Sequence, residues 1–343
     1  MVKKQSYKAD IITVSKVAGV SPATVSRAMN HPDLVSPTTR KKIEKAIPKT
    51  GYIRNRAAQT MHGRRSSTLG LVVPTVNYSI FAELVQSFND TVSDLGFTLL
   101  LATHNYDLGA EYKVIQKLLE HRVDGVALIG LDHSEDTYRL FQSQNVPVVA
   151  AWAYGETARI SSIGSDNREA GQLAARHILS LGHRRIGCVF PPTVENDRAR
   201  GRLGAAMEVL QEAGVECPDE WIAQSLYSIA HAKAACFELL RANRSLTALI
   251  CGNDVIAQGA IAAALELGLR IPRDISIIGI GDFVGSGDSY PALTTVRIPA
   301  QEIGARAGQN LVQSIAEFDP GQRLHVRFPV TLKRRTTTDC PKL

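Results

Sequence analysis

From Leu69 onward the chain alternates short apolar runs with longer segments of helical periodicity, and it does so twice. The first set reads LGLVVP, residues 80–95, FTLLLA, residues 111–121, DGVALIG and VPVVAAW. The second reads RIGCVF, residues 199–213, residues 230–240, LTALICG, residues 255–267 and DISIIGIG. An apolar run bounded by turns is a strand buried on both faces, and strands separated by helices are joined by crossovers, which forces a parallel sheet covered by helices. Two sets predict two α/β lobes. Gly96, Gly182, Gly214 and Gly268 follow helical segments at the places where left-handed caps are expected.

The 68 residues before this pattern have a different texture. Residues 1–65 hold fourteen Lys and Arg against Asp10, Asp33 and Glu44, a net charge of +11, whereas the remainder sums to −5 and the whole chain to +6. A basic segment joined to a mildly acidic body points to a polyanion as partner. A lipid surface fits less well, because the basic residues lack interleaved apolar anchors. With 343 residues and 44% hydrophobic composition, the chain exceeds one core and excludes general disorder. Runs such as 69–74 and 97–102 fall far short of the roughly 20 residues of a membrane helix. The start of the chain lacks a secretory pattern, so a cytoplasmic location is expected. Cys188, Cys217, Cys236, Cys251 and Cys340 are scattered without a CxxC pair, which predicts reduced thiols and neither a disulfide framework nor a metal site.

Within the basic segment, Ile11, Ile12, Val14, Val17 and Ala18 recur at helical spacing between Asp10, an N-cap, and Gly19. Ser21 then caps a second helix that opens on Pro22. Val25, Ala28 and Met29 share its packing face, leaving Ala23, Thr24, Ser26, Arg27 and Asn30 toward solvent or a groove. Ser36-Pro37 repeats the start signal for a third helix, 38 to about 47, bearing Arg40, Lys41, Lys42 and Lys45. Two short helices across a glycine turn, closed by a third, form a helix-turn-helix pattern; the plainer alternative is a three-helix cap with a solvated basic face.

VAGVSPATVSRAMN, VSPTTRKKIEKA and GYIRNRAAQTM resemble the head of the lactose-repressor (LacI/GalR) family of transcription regulators. The resemblance implies a second helix in the major groove, with Ala23 near base edges and Arg27 donating to guanine, and with Pro22 and Asn30 as further DNA-binding candidates. It implies phosphate contacts from Ser21, Thr24, Ser26, Ser36, Thr39, Tyr52 and Asn55. Residues 55–63 would form a short helix on DNA, with Met61 in place of the more familiar leucine as a minor-groove wedge. Two departures stand out: Pro48, which should end the third helix early or kink it, and Arg54, where the family often has proline.

AARHILSLGHRRIGCV, TALICGNDVIAQGAIAAALELGLRIPRDISIIGIGDF and YPALTTVRIP resemble the regulatory body of the same family. The implied architecture is an N-terminal all-α helix-turn-helix head plus an α/β, periplasmic-binding-protein-like body of two parallel-sheet lobes. The expected divisions are a head at 1–54, a hinge at 55–68, a first lobe at 69–163 and 299–323, a second lobe at 164–298 and 324–335, and a tail at 336–343. The three crossings fall near Gly164, Ile298 and Arg323.

Ligands of open α/β sheets lie beyond the carboxyl ends of strands. Asn77, Tyr78 and Phe81 follow the first strand, Trp152 and Tyr154 follow VPVVAA, Asn253 and Asp254 follow ALICG, and Asp282 follows IIGIG. A capping Asn or Asp or a packed aromatic is the plainer alternative for each, and Asp254, together with Arg202, is singled out as an effector contact. Arg202 matches the family's effector-binding arginine, with Arg198 the alternative in the same segment. Two arginines favour an anionic effector, a sugar acid or sugar phosphate, and GLDHS with GDF resembles the gluconate-repressor type. Gly281 stands where relatives often carry a sugar-binding aspartate, leaving Asp282 as the acid.

Enzyme chemistry finds no support. The GxG at Gly279 is not continued to GxGxxG, GxSxG and HExxH are absent, and His104, His133 and His177 are scattered as surface or satisfied core residues. No catalytic residue and no cofactor is expected. A sugar-binding protein without a DNA role is the rival, and the basic head counts against it. One head reads one half-site, so a homodimer on palindromic operator DNA is expected; no leucine heptad follows Thr338.

Overall fold

The computed structural model describes residues 9–53, 65–77, 79–317, 319 and 321–342. The chain divides into two compact units, Met1–Ser66 and Ser67–Leu343.

In the first unit, helix α1 (Ile11–Ala18) starts where the Asp10 carboxylate accepts the Thr13 N–H at 2.8 Å and stops at Gly19, whose φ of 68° admits the left-handed turn. Helix α2 (Pro22–Asn30) opens on the Ser21 hydroxyl, 3.1 Å from the Thr24 amide, and α3 (Pro37–Thr50) on Ser36. Val14, Ala18, Val25, Ala28, Ile43 and Ala46 make the core, with Met29 and Tyr52 packed against it. The expectation that Pro48 would end α3 early is corrected, because the helix continues to Thr50. Proline removes only the bond to Glu44 in a last turn that is otherwise anchored. The Thr50 hydroxyl donates to the Ala46 and Ile47 carbonyls at 3.0 and 2.9 Å, and the left-handed Gly51 closes the end.

The second unit holds two six-stranded sheets. The first, in order β11-β5-β4-β3-β1-β2, is parallel throughout and comprises β1 (Thr68–Val73), β2 (Thr98–Thr103), β3 (Gly125–Ile129), β4 (Val148–Ala153), β5 (Ser161–Ser165) and β11 (His325–Arg327). Alternation sorts its residues. Leu69, Leu71 and Val73 pack under α4 (Ala82–Asp94) and α11 (Ala300–Ala316), while Val72 joins the opposite core with α5 (Leu108–Glu120) and α6 (Glu135–Gln144). The second sheet, β12-β10-β9-β8-β6-β7, comprises β6 (Ile186–Phe190), β7 (Ile222–Gln224), β8 (Ala248–Cys251), β9 (Ser276–Gly281), β10 (Thr294–Arg297) and an antiparallel β12 (Thr331–Lys333). Helices α7 (Asn167–Ser180) and α8 (Asp197–Glu212) cover one face, and α9 (Ile229–Ala242) and α10 (Asp254–Glu266) the other. Gly171 lets α7 and α8 touch backbone to backbone, since a Cβ there would stand 2.1 Å from the Arg202 carbonyl oxygen.

The chain leaves the first sheet after Ser165, returns through Pro299 into α11, and crosses last between β11 and β12. The first crossing thus falls one residue past Gly164, while the one expected near Arg323 is corrected to the segment after Arg327. Val326 pairs with Ile163 and the Phe328 amide donates to the Gly164 carbonyl at 2.8 Å, which keeps both segments in the first sheet through Arg327. Nor do residues 336–342 hang free. Thr337 exchanges bonds with Ile277, and Asp339 bonds the Ser276 hydroxyl and His183. Among the described residues no helix is long and apolar enough to cross a membrane.

Candidate DNA-reading helix and effector cleft

On α2 the packing positions Val25 and Ala28 are buried, and Ala23 and Arg27 on the other side are exposed. Arg27 makes no ion pair among the described residues, so its guanidinium is available to an acceptor in a groove. The flanking hydroxyls are already oriented. Ser21 and Thr24 lie 2.8 Å apart, the Asn30 amide donates to Ser26 at 3.2 Å, and Ser36 donates to Thr39 at 2.9 Å. Pro22 occupies the exposed first position of α2, and Tyr52 packs half-buried against the head core. Asn55 and Met61, like Arg54, lie outside the described residues.

In the body, the carboxyl ends of the two sheets meet across a closed cleft. The start of α8 grips the loop after β3. The Leu131 amide donates to Asp197 at 3.0 Å, Arg198 donates to the Ile129 carbonyl at 3.2 Å, and Arg200 bonds both Asp132 oxygens at 2.8 Å. Gly130 is required at this contact, because a Cβ would stand 1.8 Å from the Arg198 guanidinium. His133 braces the same loop, bonding Glu111 at 3.0 Å and the Gly130 carbonyl at 3.1 Å. Across the opening, Tyr106 after β2 stacks on Tyr227 after β7, centroids 5.1 Å apart and planes 20° from parallel.

Arg202 is 5% exposed; it donates through Nε to the Asn167 side chain at 2.8 Å and through Nη1 to the Gly252 carbonyl at 3.0 Å. No carboxylate pairs with it among the described residues, and burial pushes its pKa down to about 10. Arg198, by contrast, is paired with Asp197 at 2.8 Å; burial alone would lower its pKa, but Asp197 and nearby tyrosines outweigh that and raise it. Among the described residues, four buried polar atoms at the strand ends have no hydrogen-bond partner: His104 Nδ1, the Tyr106 hydroxyl, the Ser165 hydroxyl and Asn253 Nδ2. The Tyr227 hydroxyl, beside that of Tyr106, completes no well-directed bond with it. Burial holds His104 below the ordinary histidine range and Tyr106 well above the ordinary tyrosine range, so both are neutral near pH 7. Unpartnered buried groups beside an uncompensated guanidinium are what a polar ligand or ordered water would satisfy. Backbone strain collects here too, with positive φ at Asn105, Tyr106, Trp152, Glu195 and Asp282.

Other candidates are placed differently. Asp254, fully buried, accepts from the Phe283 amide at 3.0 Å, the Ser286 hydroxyl at 2.6 Å and the Thr295 hydroxyl at 2.5 Å, so both oxygens are committed within the second lobe. Phe81 and Trp152 pack edge to face at 5.1 Å, 3% and 1% exposed. Asp282 is bound by Arg335 at 2.6 Å. Asn253 caps α10 through its oxygen, leaving the orphan Nδ2 already named. Tyr154 is half-buried with the Arg327 guanidinium over its ring, Asn77 is exposed, and Tyr78 lies outside the described residues. His104, Tyr106, Ser165, Asn167, Asp197 and Tyr227 were not among the sequence candidates for the cleft. Tyr106 carries the signal that picked Asn253, a polar residue just past a strand; Tyr227 follows a three-residue strand with no readable pattern.

Residues 11–55 match the family described as bacterial regulatory proteins, lacI family, and residues 175–338 match a periplasmic binding protein-like domain. The chain is 31% identical over 336 residues to the HTH-type transcriptional repressor PurR of Proteus mirabilis, covering 97% of this chain and 98% of that protein. A lac repressor dimer bound to operator and the anti-inducer ONPF superposes with a TM-score of 0.84 at 26% identity, over 97% of this chain and 99% of that one. A transcriptional regulator CelR–cellobiose complex superposes at 0.70 with 26% identity, over 96% and 100%.

Proposed function

Since the chain belongs to the lacI family of bacterial regulatory proteins, and is thus a DNA-binding transcriptional regulator with an effector-binding body, we propose that it is a homodimeric repressor whose effector is a small sugar acid. Arg27 and Ala23 read base edges in the major groove, while Ser21, Thr24, Ser26, Ser36 and Thr39 hold phosphates and set register. The observation that carries the effector class is Arg202, a buried guanidinium bonded to an amide and a carbonyl but to no carboxylate among the described residues. An anionic oxygen completes its charge, and hydroxyls complete Tyr106, Ser165, Asn253 and His104. A carbohydrate-type ligand is supported by the similar regulator solved with cellobiose. Because the start of α8 holds both Arg202 and the grip on the β3 loop, occupancy of the cleft and lobe closure are one event, and the effector shifts operator affinity by as much as it favours the closed form.

A thermal-shift screen of the full chain against neutral sugars, sugar acids and sugar phosphates tests this. A sugar acid should raise the melting temperature and alter operator affinity, and Arg202→Gln should lose both responses. Stabilisation by neutral sugars alone would overturn the acid assignment.

A further inference from the structure

We propose that the first lobe carries a second binding site, separate from the interlobe cleft, for a hydroxylated anion of metabolite size. A cavity of about 430 Å³ lies between the end of α6, the amino ends of β4 and β5, and one side of α11. That volume falls within the range of small-molecule sites. The cleft occupies the carboxyl ends of the same strands. Strands of five or six residues at about 3.3 Å each put roughly 16–20 Å of sheet between the two.

Three residues define its chemistry. Asn310, on α11, lines the cavity at 8% exposure, and its buried Oδ1 has no hydrogen-bond partner among the described residues. Its helix neighbours Ala307 and Leu311 pack into the core, so an apolar residue would suit the position, and an unanswered acceptor there destabilises the free chain. One turn earlier Arg306 reaches the same cavity, and Arg323 reaches it from the segment before β11; neither makes an ion pair among the described residues. Arg159, also on the wall, is already committed to Glu135 and lies over the Tyr138 ring at 4.0 Å. Both guanidiniums are exposed at the mouth of the cavity and available to a carboxylate or phosphate, and the buried Asn310 oxygen calls for a hydroxyl or N–H donor. Glu317 and Asp319 also border the cavity, which disfavours ligands of high negative charge. Phe141, Val146 and Pro147 supply an apolar wall for a carbon skeleton. β1 begins on this same amino-end side of the sheet, with β3 between it and β4.

The test titrates the full chain calorimetrically with gluconate, 6-phosphogluconate and, as neutral control, glucose, and follows amide exchange over 142–148 and 306–317. At least one of the two anions should protect these segments. Affinity at this site should fall at least tenfold in Arg306→Ala/Arg323→Ala and in Asn310→Leu, and persist in Arg202→Gln, where the cleft is disabled. Asn310→Leu should also melt higher than wild type without ligand. The carboxylate and phosphate arms distinguish which anionic group is held. Failure of the cleft assignment alone would leave the protection at 142–148 and 306–317 unchanged. Absence of that protection with both anions, equal protection by glucose, or binding indifferent to the Arg306, Arg323 and Asn310 substitutions would overturn the second site.

Discussion

Replacing Asp254 separates a ligand contact from an internal staple. Its carboxylate, the first residue of α10, receives three hydrogen bonds from residues 29, 32 and 41 positions downstream, tying α10 to the turn after β9 and to β10. Hydrogen bonds to a charged group contribute about 1.5–3 kcal/mol each, but burying the carboxylate costs several kcal/mol, so the net loss on truncation is smaller than their sum. Asp254→Ala leaves an amide and two hydroxyls facing a void, and about 3–5 kcal/mol of stability should be lost. For a lobe of this size that is roughly 6–20 °C in melting temperature. Asp254→Asn should cost nearer 1 kcal/mol, because one amide oxygen still accepts from Phe283 and Ser286 while the Thr295 hydroxyl turns to accept. Burial raises the Asp254 carboxyl above its ordinary range, against the pull of its three donors. A raised folded-state value adds stability that is full below the unfolded value and is lost as pH rises through the raised one, so the margin of wild type over Asp254→Asn should narrow as pH climbs above the ordinary carboxylate range. Urea and thermal melts of the three proteins, with and without effector, give all of these quantities. If Asp254→Ala melted within about 1 kcal/mol of wild type yet no longer responded to effector, the staple assignment would be refuted.

Three other outcomes follow from the same geometry. Arg27→Ala should leave the melting of the exposed α2 surface unchanged but relax base preference by about 1–3 kcal/mol at one operator position, read by binding to a randomised operator library; a uniform loss across sequences would make Arg27 a phosphate contact. Gly171→Ala should push α8 off α7, costing about 1–3 kcal/mol and weakening effector binding through Arg202, since the new methyl would meet the Arg202 backbone; unaltered effector affinity in calorimetry would disconnect the helix contact from the cleft. His177, bonded to Thr338 at 3.0 Å, is driven by burial down to about 4, so the unfolded chain takes up a proton between its ordinary 6.5 and about 4 that the folded chain refuses. Stability should therefore fall as pH drops through that window, and His177→Gln should flatten part of the decline in urea midpoint; an identical decline in both proteins would remove His177 from the account.

The elements readable from sequence were those whose determinants are local. Asp10, Ser21 and Ser36 bond amides within their own first helical turns, and the two-sided burial of LGLVV or ALIC is written in consecutive residues. Short edge strands carry no such signature: Ile222–Gln224 and His325–Arg327 are three residues each, partly polar and defined only by the strand they pair with. The last crossing was accordingly misplaced, and Tyr227 passed unnoticed. In the cleft, position after a strand tells which end of the sheet a residue occupies, not which way its side chain turns. Asn253 and Asp254 are adjacent on the same strand end, yet one keeps an unpartnered donor and the other is consumed by three donors from distant segments. Trp152 and Phe81 turn toward each other and fill the core. Arg202 differs because no acid among the described residues pairs with it, a property of its surroundings in the fold rather than of the segment NDRARGRLG. A residue with a partner inside the fold holds the site together, and one left without a partner is what a ligand can complete.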